Sequence, residues 1–172
     1  MGMEKASMAH VAAAANISKA LLYHYYPSKN ALIFRIAHSH LTELDEALKA
    51  CDTPTAKPEE RLFILIREIL EQYRDASDKH KVLLYGTKSL PKKQMDELRD
   101  IERRIVRRLS KLIGLINPSL DGSKSVLLPI TMSLFGTLNW VNTWFRPDGS
   151  LTREQYADLV AQLFLDGVRK VR

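Results

Sequence analysis

One cysteine, Cys51, leaves no partner for an internal disulfide, so no covalent framework holds this chain and a reducing compartment suits it. Glycine and proline are also scarce, seven of each in 172 residues, which favours long helices over a loop-rich scaffold. No run alternates apolar and polar residues as a half-buried strand requires. Residues 1–20 lack the basic stretch, apolar run and cleavage site of a signal peptide, and with the single cysteine a cytoplasmic location is expected. Common catalytic devices are missing as well: no P-loop, no dinucleotide glycine pattern and no nucleophile elbow. The five histidines, His10, His24, His38, His40 and His80, form no metal-binding pair, and no helix carries Glu-x-x-His. Cys51 has no basic neighbour to activate it. These absences argue against an enzyme, a bound metal and a cofactor.

Charge is missing from one long segment. From Ser125 to Phe145 there is no charged residue, a length that nearly spans a bilayer. Yet Thr131, Ser133, Thr137, Asn139, Asn142 and Thr143 are poor company for lipid, and Pro129 and Gly136 interrupt the run. A helix buried inside protein is the better reading, and no membrane partner is expected.

What remains is helical. Hydrophobic residues make up 45% of the chain, enough to bury a core of one domain with a small appendage. Leu32, Ile36, Leu41, Leu44 and Leu48 follow helical spacing over about 30–51, a helix that Ser28 can cap. After the break at Asp52–Pro58 the next helix carries Leu62, Leu65, Ile66, Ile69, Leu70 and Tyr73. A short piece lies near Lys81–Leu90, and Pro91 restarts a stripe running from Met95 to Ile116. The uncharged helix, Lys124–Phe145, stops at the turn Arg146-Pro147-Asp148-Gly149. Thr152 and Gln155 then form a capping box for a last helix reaching Val171. The class is all-α. The formal charge of +6 suits a nucleic-acid partner without requiring one.

The stretch SMAHVAAAANISKALLYHYYPSK, residues 7–29, reads as two short helices joined by a tight turn. Ser7 caps the first, Asn16 takes a positive φ in the turn, Ile17 plugs the gap between the helices, and Ser18 caps the second. This is the spacing of a helix-turn-helix whose second helix enters a major groove. Ser18, Lys19 and Ala20 stand at its leading end; Leu22, Tyr25 and Tyr26 turn to the core; Tyr23 and His24 face the groove, and Lys29 adds a cation.

At these residues the chain resembles the TetR family of transcriptional regulators, whose pattern runs roughly I-A-x-x-A-G-V-S-x-x-x-L-Y-x-Y-F-x-S-K-x-x-L. Asn16 stands where the family usually has glycine, and Tyr26 where it has phenylalanine. The resemblance implies a helix-turn-helix head over 1–40 leading into a connecting helix, 30–51, and an effector-binding and dimerisation domain over 52–172. It further implies a homodimeric repressor of a palindromic double-stranded operator, released by a small molecule, and a further helix ahead of Gly2-Met3. It carries over Ser7, Ser18, Lys19, Ala20, Tyr23, His24 and Lys29 as DNA contacts.

In the uncharged helix, Met132, Phe135, Asn139, Trp140, Thr143 and Trp144 mix large apolar surface with sparse polar groups, the composition of a ligand pocket, and Tyr73 and Tyr85 are placed on its other wall. A helix apolar all round must be covered all round, which points to a four-helix dimer interface using Leu134, Val141, Tyr156, Leu159, Val160, Leu163 and Phe164. The segment from Asn139 to Gly149 is similar to one in TetR-type regulators of fatty-acid and aromatic-acid breakdown, which implies an acyl-CoA effector. Arg103 and Arg107 belong to an arginine-rich helix suited to coenzyme A phosphates, although acidic residues share that helix and a solvated ion-paired face fits equally well. A different apolar effector, or a ligand-binding bundle without DNA activity, are the alternatives.

Overall fold

The computed structural model describes residues 6–74, 76–121 and 126–171, and every regular element among them is helical. In order these are α1 (Met8–Ala14), α2 (Lys19–Tyr25), α3 (Lys29–Cys51), α4 (Pro58–Gln72), α5 (Ser77–Lys81), α6 (Lys92–Ile116), α7 (Leu127–Trp144) and α8 (Arg153–Val168). A π-helical turn, Val82–Gly86, and a 3-10 turn, Thr87–Ser89, lie between α5 and α6; a second 3-10 turn, Pro118–Leu120, follows α6. The Gly2-Met3 region and the expected helix start at Lys124 fall outside the described residues.

The chain forms two compact units. The first comprises Met1–Glu43 with Ala76–Asp100, the second Leu44–Asp75 with Ile101–Arg172. Residues 76–100, which the sequence assigns to the C-terminal domain, thus pack with the head.

In the first unit, local rules decide where α1 and α2 begin and end. Ser7 Oγ accepts the His10 amide at 3.3 Å while His10 Nδ1 accepts the Ser7 amide at 3.4 Å, a reciprocal cap. At the other end of α1 the Ile17 amide donates to Ala12 O at 3.0 Å and the Asn16 amide to Ala13 O at 3.1 Å, the Schellman arrangement. That arrangement places one residue in the left-handed region, and Asn16 takes it at φ 53°, alone among the described non-glycine residues. Ser18 Oγ then accepts the Leu21 amide at 3.0 Å, and Ser28 Oγ the Ala31 amide at 3.1 Å. Inside this frame Leu22 is buried on Met8 and Ala12, with Val11, Tyr26 and Leu32 around them.

Two expected core residues lie elsewhere. Tyr25 is 67% exposed, and Ile17 also reaches solvent. Leu22 to Tyr26 is a four-residue step, a 40° offset around the helix, whereas Leu22 to Tyr25 is offset about 60°. Tyr26 therefore takes the inner place as the helix ends, and Tyr25 turns outward.

The second unit is built on α4, whose Leu62, Leu65, Ile66, Ile69 and Leu70 are fully buried, and α8 is its principal neighbour. Ile101, Ile105, Leu109, Leu112 and Ile113 give α6 its buried stripe, and Ile113 packs with Leu120 and Val168. Asn117 joins two helix ends: its amide donates to Val168 O at 2.7 Å and Val171 O at 2.9 Å. A chain of ion pairs fixes the last turns of α3. Arg61 grips Asp52 with both its Nε (2.7 Å) and Nη2 (3.0 Å), Arg108 lies 3.6 Å from both Asp52 and Asp45, and Arg104 donates to Asp45 at 2.8 Å. The Arg61 hydrogen bonds hold the Asp52 carboxyl below its ordinary range.

Asn16 sets the turn between α1 and α2 at a conformation that costs a Cβ-bearing residue without a polar side chain about 1 kcal/mol. Asn16→Ala is expected to lose that amount in urea denaturation, and Asn16→Gly to lose nothing.

Candidate nucleic-acid interface

Because Leu22 is the one buried residue of α2, the rest of the helix is free to face outward. Lys19 and Tyr23 are one turn apart, with the Lys19 ammonium 5.8 Å from the Tyr23 ring centroid. Ala20 and His24 form a second such step beside them, and all four side chains are exposed. The small Ala20 lets a partner approach the helix closely, while Lys19, Tyr23 and His24 offer a cation, a hydroxyl and an imidazole around it. The Ser18 hydroxyl accepts an amide and keeps its own proton to donate. Ser7, exposed at the start of α1, is arranged likewise, with His10 Nδ1 at 3.1 Å from its hydroxyl. Lys29, half-buried, opens α3 three residues beyond Tyr26. The sequence-expected contacts are thus all on the surface of the first unit or at its edge.

The residues expected to hold an effector divide. Tyr73 is buried, and its hydroxyl donates to Asn139 Oδ1 at 2.9 Å, a polar tie between α4 and α7 in an apolar interior. Burial drives the Tyr73 hydroxyl well above its ordinary pKa, so it stays a donor. Phe135 is buried too. Met132, Trp140, Thr143 and Trp144 are not: they are exposed, Trp140 by 64%. Tyr85 is exposed and belongs to the first unit, whereas Tyr73 belongs to the second. Arg103 and Arg107 are exposed one turn apart on α6.

The expected dimer contacts are corrected in the opposite sense. Leu134 and Val141 are fully buried within the chain, Val160 nearly so, and Phe164 packs with Leu127 and Ile130 on the Ile113–Leu120–Val168 cluster. Tyr156 is half-buried against Trp144 and Phe145, with Arg153 stacked 4.8 Å over the Phe145 ring. Of the seven only Leu159 and Leu163 are exposed, Leu163 by 65%, while Tyr156 and Phe164 are half-buried. The cause is geometric. Ala157, Val160, Ala161, Leu165 and Val168 form the inner side of α8, so the opposite side is left to Leu159 and Leu163. On α7 the inner side is Leu134, Leu138 and Val141, and the outer side is the regular step Leu128, Met132, Gly136, Trp140, Trp144. That four-residue step was available in the sequence as a signal of a second apolar face.

Two further features had no signal in the sequence. His40 and His80 meet in the interior of the first unit, and Asn30 and Ser89 exchange two hydrogen bonds, of 2.9 and 3.1 Å. Cys51 is half-buried, and burial pushes its thiol up, away from nucleophile chemistry. No helix of the described residues is long and apolar enough to cross a membrane.

Comparison with known proteins is consistent along the chain. Residues 1–36 match the family described as bacterial regulatory proteins, tetR family, and residues 55–168 match the tetracyclin repressor-like C-terminal domain. A TetR-family transcriptional regulator from Bordetella parapertussis superposes with a TM-score of 0.89 at 28% identity, over 98% of this chain and 88% of that one. AibR, solved in complex with isovaleryl coenzyme A and operator DNA, superposes with a TM-score of 0.79 at 27% identity, over 94% of this chain and 89% of its own. PfmR of Thermus thermophilus shares the fold, with a TM-score of 0.82 at 24% identity over 95% of this chain and 89% of that one. No curated relative matches the sequence.

Removing the Tyr73 hydroxyl leaves Asn139 short of a buried donor. Tyr73→Phe is expected to lower the unfolding free energy by about 1–2 kcal/mol, read by denaturant titration followed at the helical signal.

Proposed function

Because this chain belongs to the TetR family of bacterial regulators, which are not enzymes, we propose that it is a homodimeric repressor, released from a palindromic operator by a small molecule. The observation that carries the reading is α2 itself. It is fixed by one buried leucine, set at its angle by the Asn16 turn, and lined outward by Lys19, Ala20, Tyr23 and His24. Ser7, Ser18 and Lys29 flank that surface as phosphate contacts, which position the protein on the duplex, while the leading residues of α2 meet base edges.

Dimerisation follows from what the second unit leaves uncovered. Leu128, Met132, Trp140 and Trp144 on α7, with Leu159 and Leu163 on α8, expose far more apolar surface than scattered single residues would. The α7 and α8 helices run antiparallel, since Leu127 and Ile130 at the start of α7 and Phe164 near the end of α8 pack on one cluster while Trp144 at the end of α7 meets Tyr156 at the start of α8. Gly136 and Gly167 open onto space in these faces and permit close approach of a second copy. A two-fold dimer through this surface covers it, and successive major grooves of the operator require its two α2 helices about 34–36 Å apart, one turn of DNA.

The effector acts by population shift. A ligand that binds two helix arrangements unequally changes the α2 separation and the affinity for DNA. We assign the effector to the acyl-CoA class. AibR was solved with such a thioester, and Arg103 and Arg107 offer a guanidinium pair suited to phosphates. The Tyr73–Asn139 tie lies in the apolar interior of the same unit, where an acyl chain would be accommodated. The protein acts in the cytoplasm, where its operator is.

Lys29→Ala is expected to weaken operator binding and reduce the salt-dependence slope by about one unit, measured by fluorescence anisotropy across a salt series. An unchanged slope removes Lys29 from the phosphate contacts. Leu163→Glu is expected to convert the dimer to a folded monomer in sedimentation velocity. Calorimetry with a panel of acyl-CoA thioesters should give heat and operator release for at least one member. Release by a different apolar ligand alone would replace the acyl-CoA assignment.

A further inference from the structure

We propose that His40 and His80 form an acid-operated latch: at neutral pH the pair fastens α5 to α3, and proton uptake in mildly acidic solution frees α5. The two imidazoles are each 2% exposed, although they come from helices forty residues apart in sequence. His40 Nε2 lies 3.2 Å from His80 Nδ1, and the rings meet edge to face with centroids 5.5 Å apart. Two neutral imidazoles make this contact well, because one nitrogen donates and the other accepts. A first proton places a charge in the interior, and a second leaves two N–H donors face to face.

Among the charged neighbours of His40, Lys79 opposes protonation more than Glu43 favours it. Lys79, next to His80 on α5, adds a like charge near His40. Glu43 on α3 is already held by Lys79 Nζ at 3.0 Å and by the Ser39 hydroxyl at 2.6 Å. On α6, Glu97 is 3.3 Å from His38, which points to a different side of α3, and Asp96 pairs with Arg99 at 3.4 Å. On α5, Asp78 pairs with Lys81 at 3.2 Å. Desolvation by burial, with Lys79 second, lowers the pKa of His40; burial, with His40 second, lowers that of His80 to about 4. The sign follows. In the open state these histidines take up protons near 6.5, in the closed state His80 does so only near 4, so falling pH favours opening across that window.

The latch has a short route to the head. The segment from α5 through the π-turn to Ser89 is tied to α3 at three places: Glu43–Lys79, His40–His80 and Asn30–Ser89. The last tie lies at the start of α3, four residues beyond Tyr26. The π-turn, one turn of an uncommon helix form, connects the histidine tie to the asparagine tie. Loosening the histidine tie therefore removes a brace from the base of α2.

Hydrogen exchange of the full-length protein tests this. Corrected for intrinsic chemistry, exchange in residues 77–90 is expected to rise below pH 6.5 by up to about tenfold per pH unit for each linked proton. The variant H40Q/H80N keeps amide nitrogens near the two ring positions without a titrating group, and its exchange should be flat over the same range. Equal slopes in the two proteins, or no slope in the native one, overturn the latch. Imidazole carbon shifts in the native protein give a check that needs no variant: both histidines titrating near 6.5 with α5 still protected would also overturn it. The consequence for DNA rests on the repressor reading, and is separable. Acid-induced opening with unchanged operator affinity leaves the latch standing and tells against the head as the DNA-binding element.

Discussion

Two helices of seven residues cannot persist in water on their own, because too few hydrogen bonds repay the cost of nucleation. What holds α1 and α2 is the contact of Leu22 with Met8 and Ala12, and the surface of the head depends on it. The buried face of α2 is reduced to a single leucine, so nearly the whole circumference of the helix is left for a partner. The same economy makes the turn critical. With so small a core, the angle between the helices is set by backbone geometry at Asn16 and by three serine caps rather than by extensive packing.

The second unit solves the opposite problem. Its core is large, drawn from α4, α6, α7 and α8, and still leaves apolar surface unspent on α7. An amphipathic helix has one apolar side and is finished when that side is covered. The α7 helix has no charged side to present, so burying Leu134, Leu138 and Val141 leaves Met132 and Trp140 facing out. Several polar side chains on α7 are absorbed locally or inwardly: Thr131 with Ser110, Asn139 with Tyr73, and Thr137 with the Ser133 carbonyl. This unit is complete as a fold and incomplete as a surface.

The division between what was and was not legible in the sequence follows the range of the interactions. The elements were legible, because caps and periodic stripes act over three or four residues: Ser18 with Leu21, Thr152 with Gln155, Leu62 through Leu70. The turn was legible because few residues other than glycine accept the φ of Asn16. Which face is inside was not legible where the pattern gives no contrast. Tyr25 and Tyr26 differ by one position in a row of aromatics, and α7 is apolar on every side, so Leu134 and Met132 exchange the roles that sequence suggests. Contacts across long separations were invisible as well. Nothing near His40 announces His80, and nothing near Asn30 announces Ser89. The same holds for the packing of residues 76–100 with the head.

Trp140 and Trp144 are the only tryptophans of the chain, and both stand on the outer side of α7. All indole emission therefore arises from one strip of one helix, in the unit that does not carry the helix-turn-helix. Association across that strip would move both fluorophores from water into protein and shift their emission to the blue. Melting of α1 and α2 would leave indole emission unchanged. An unfolding curve followed by tryptophan fluorescence thus records the fate of the α7 surface, and a head already lost would leave no trace in it.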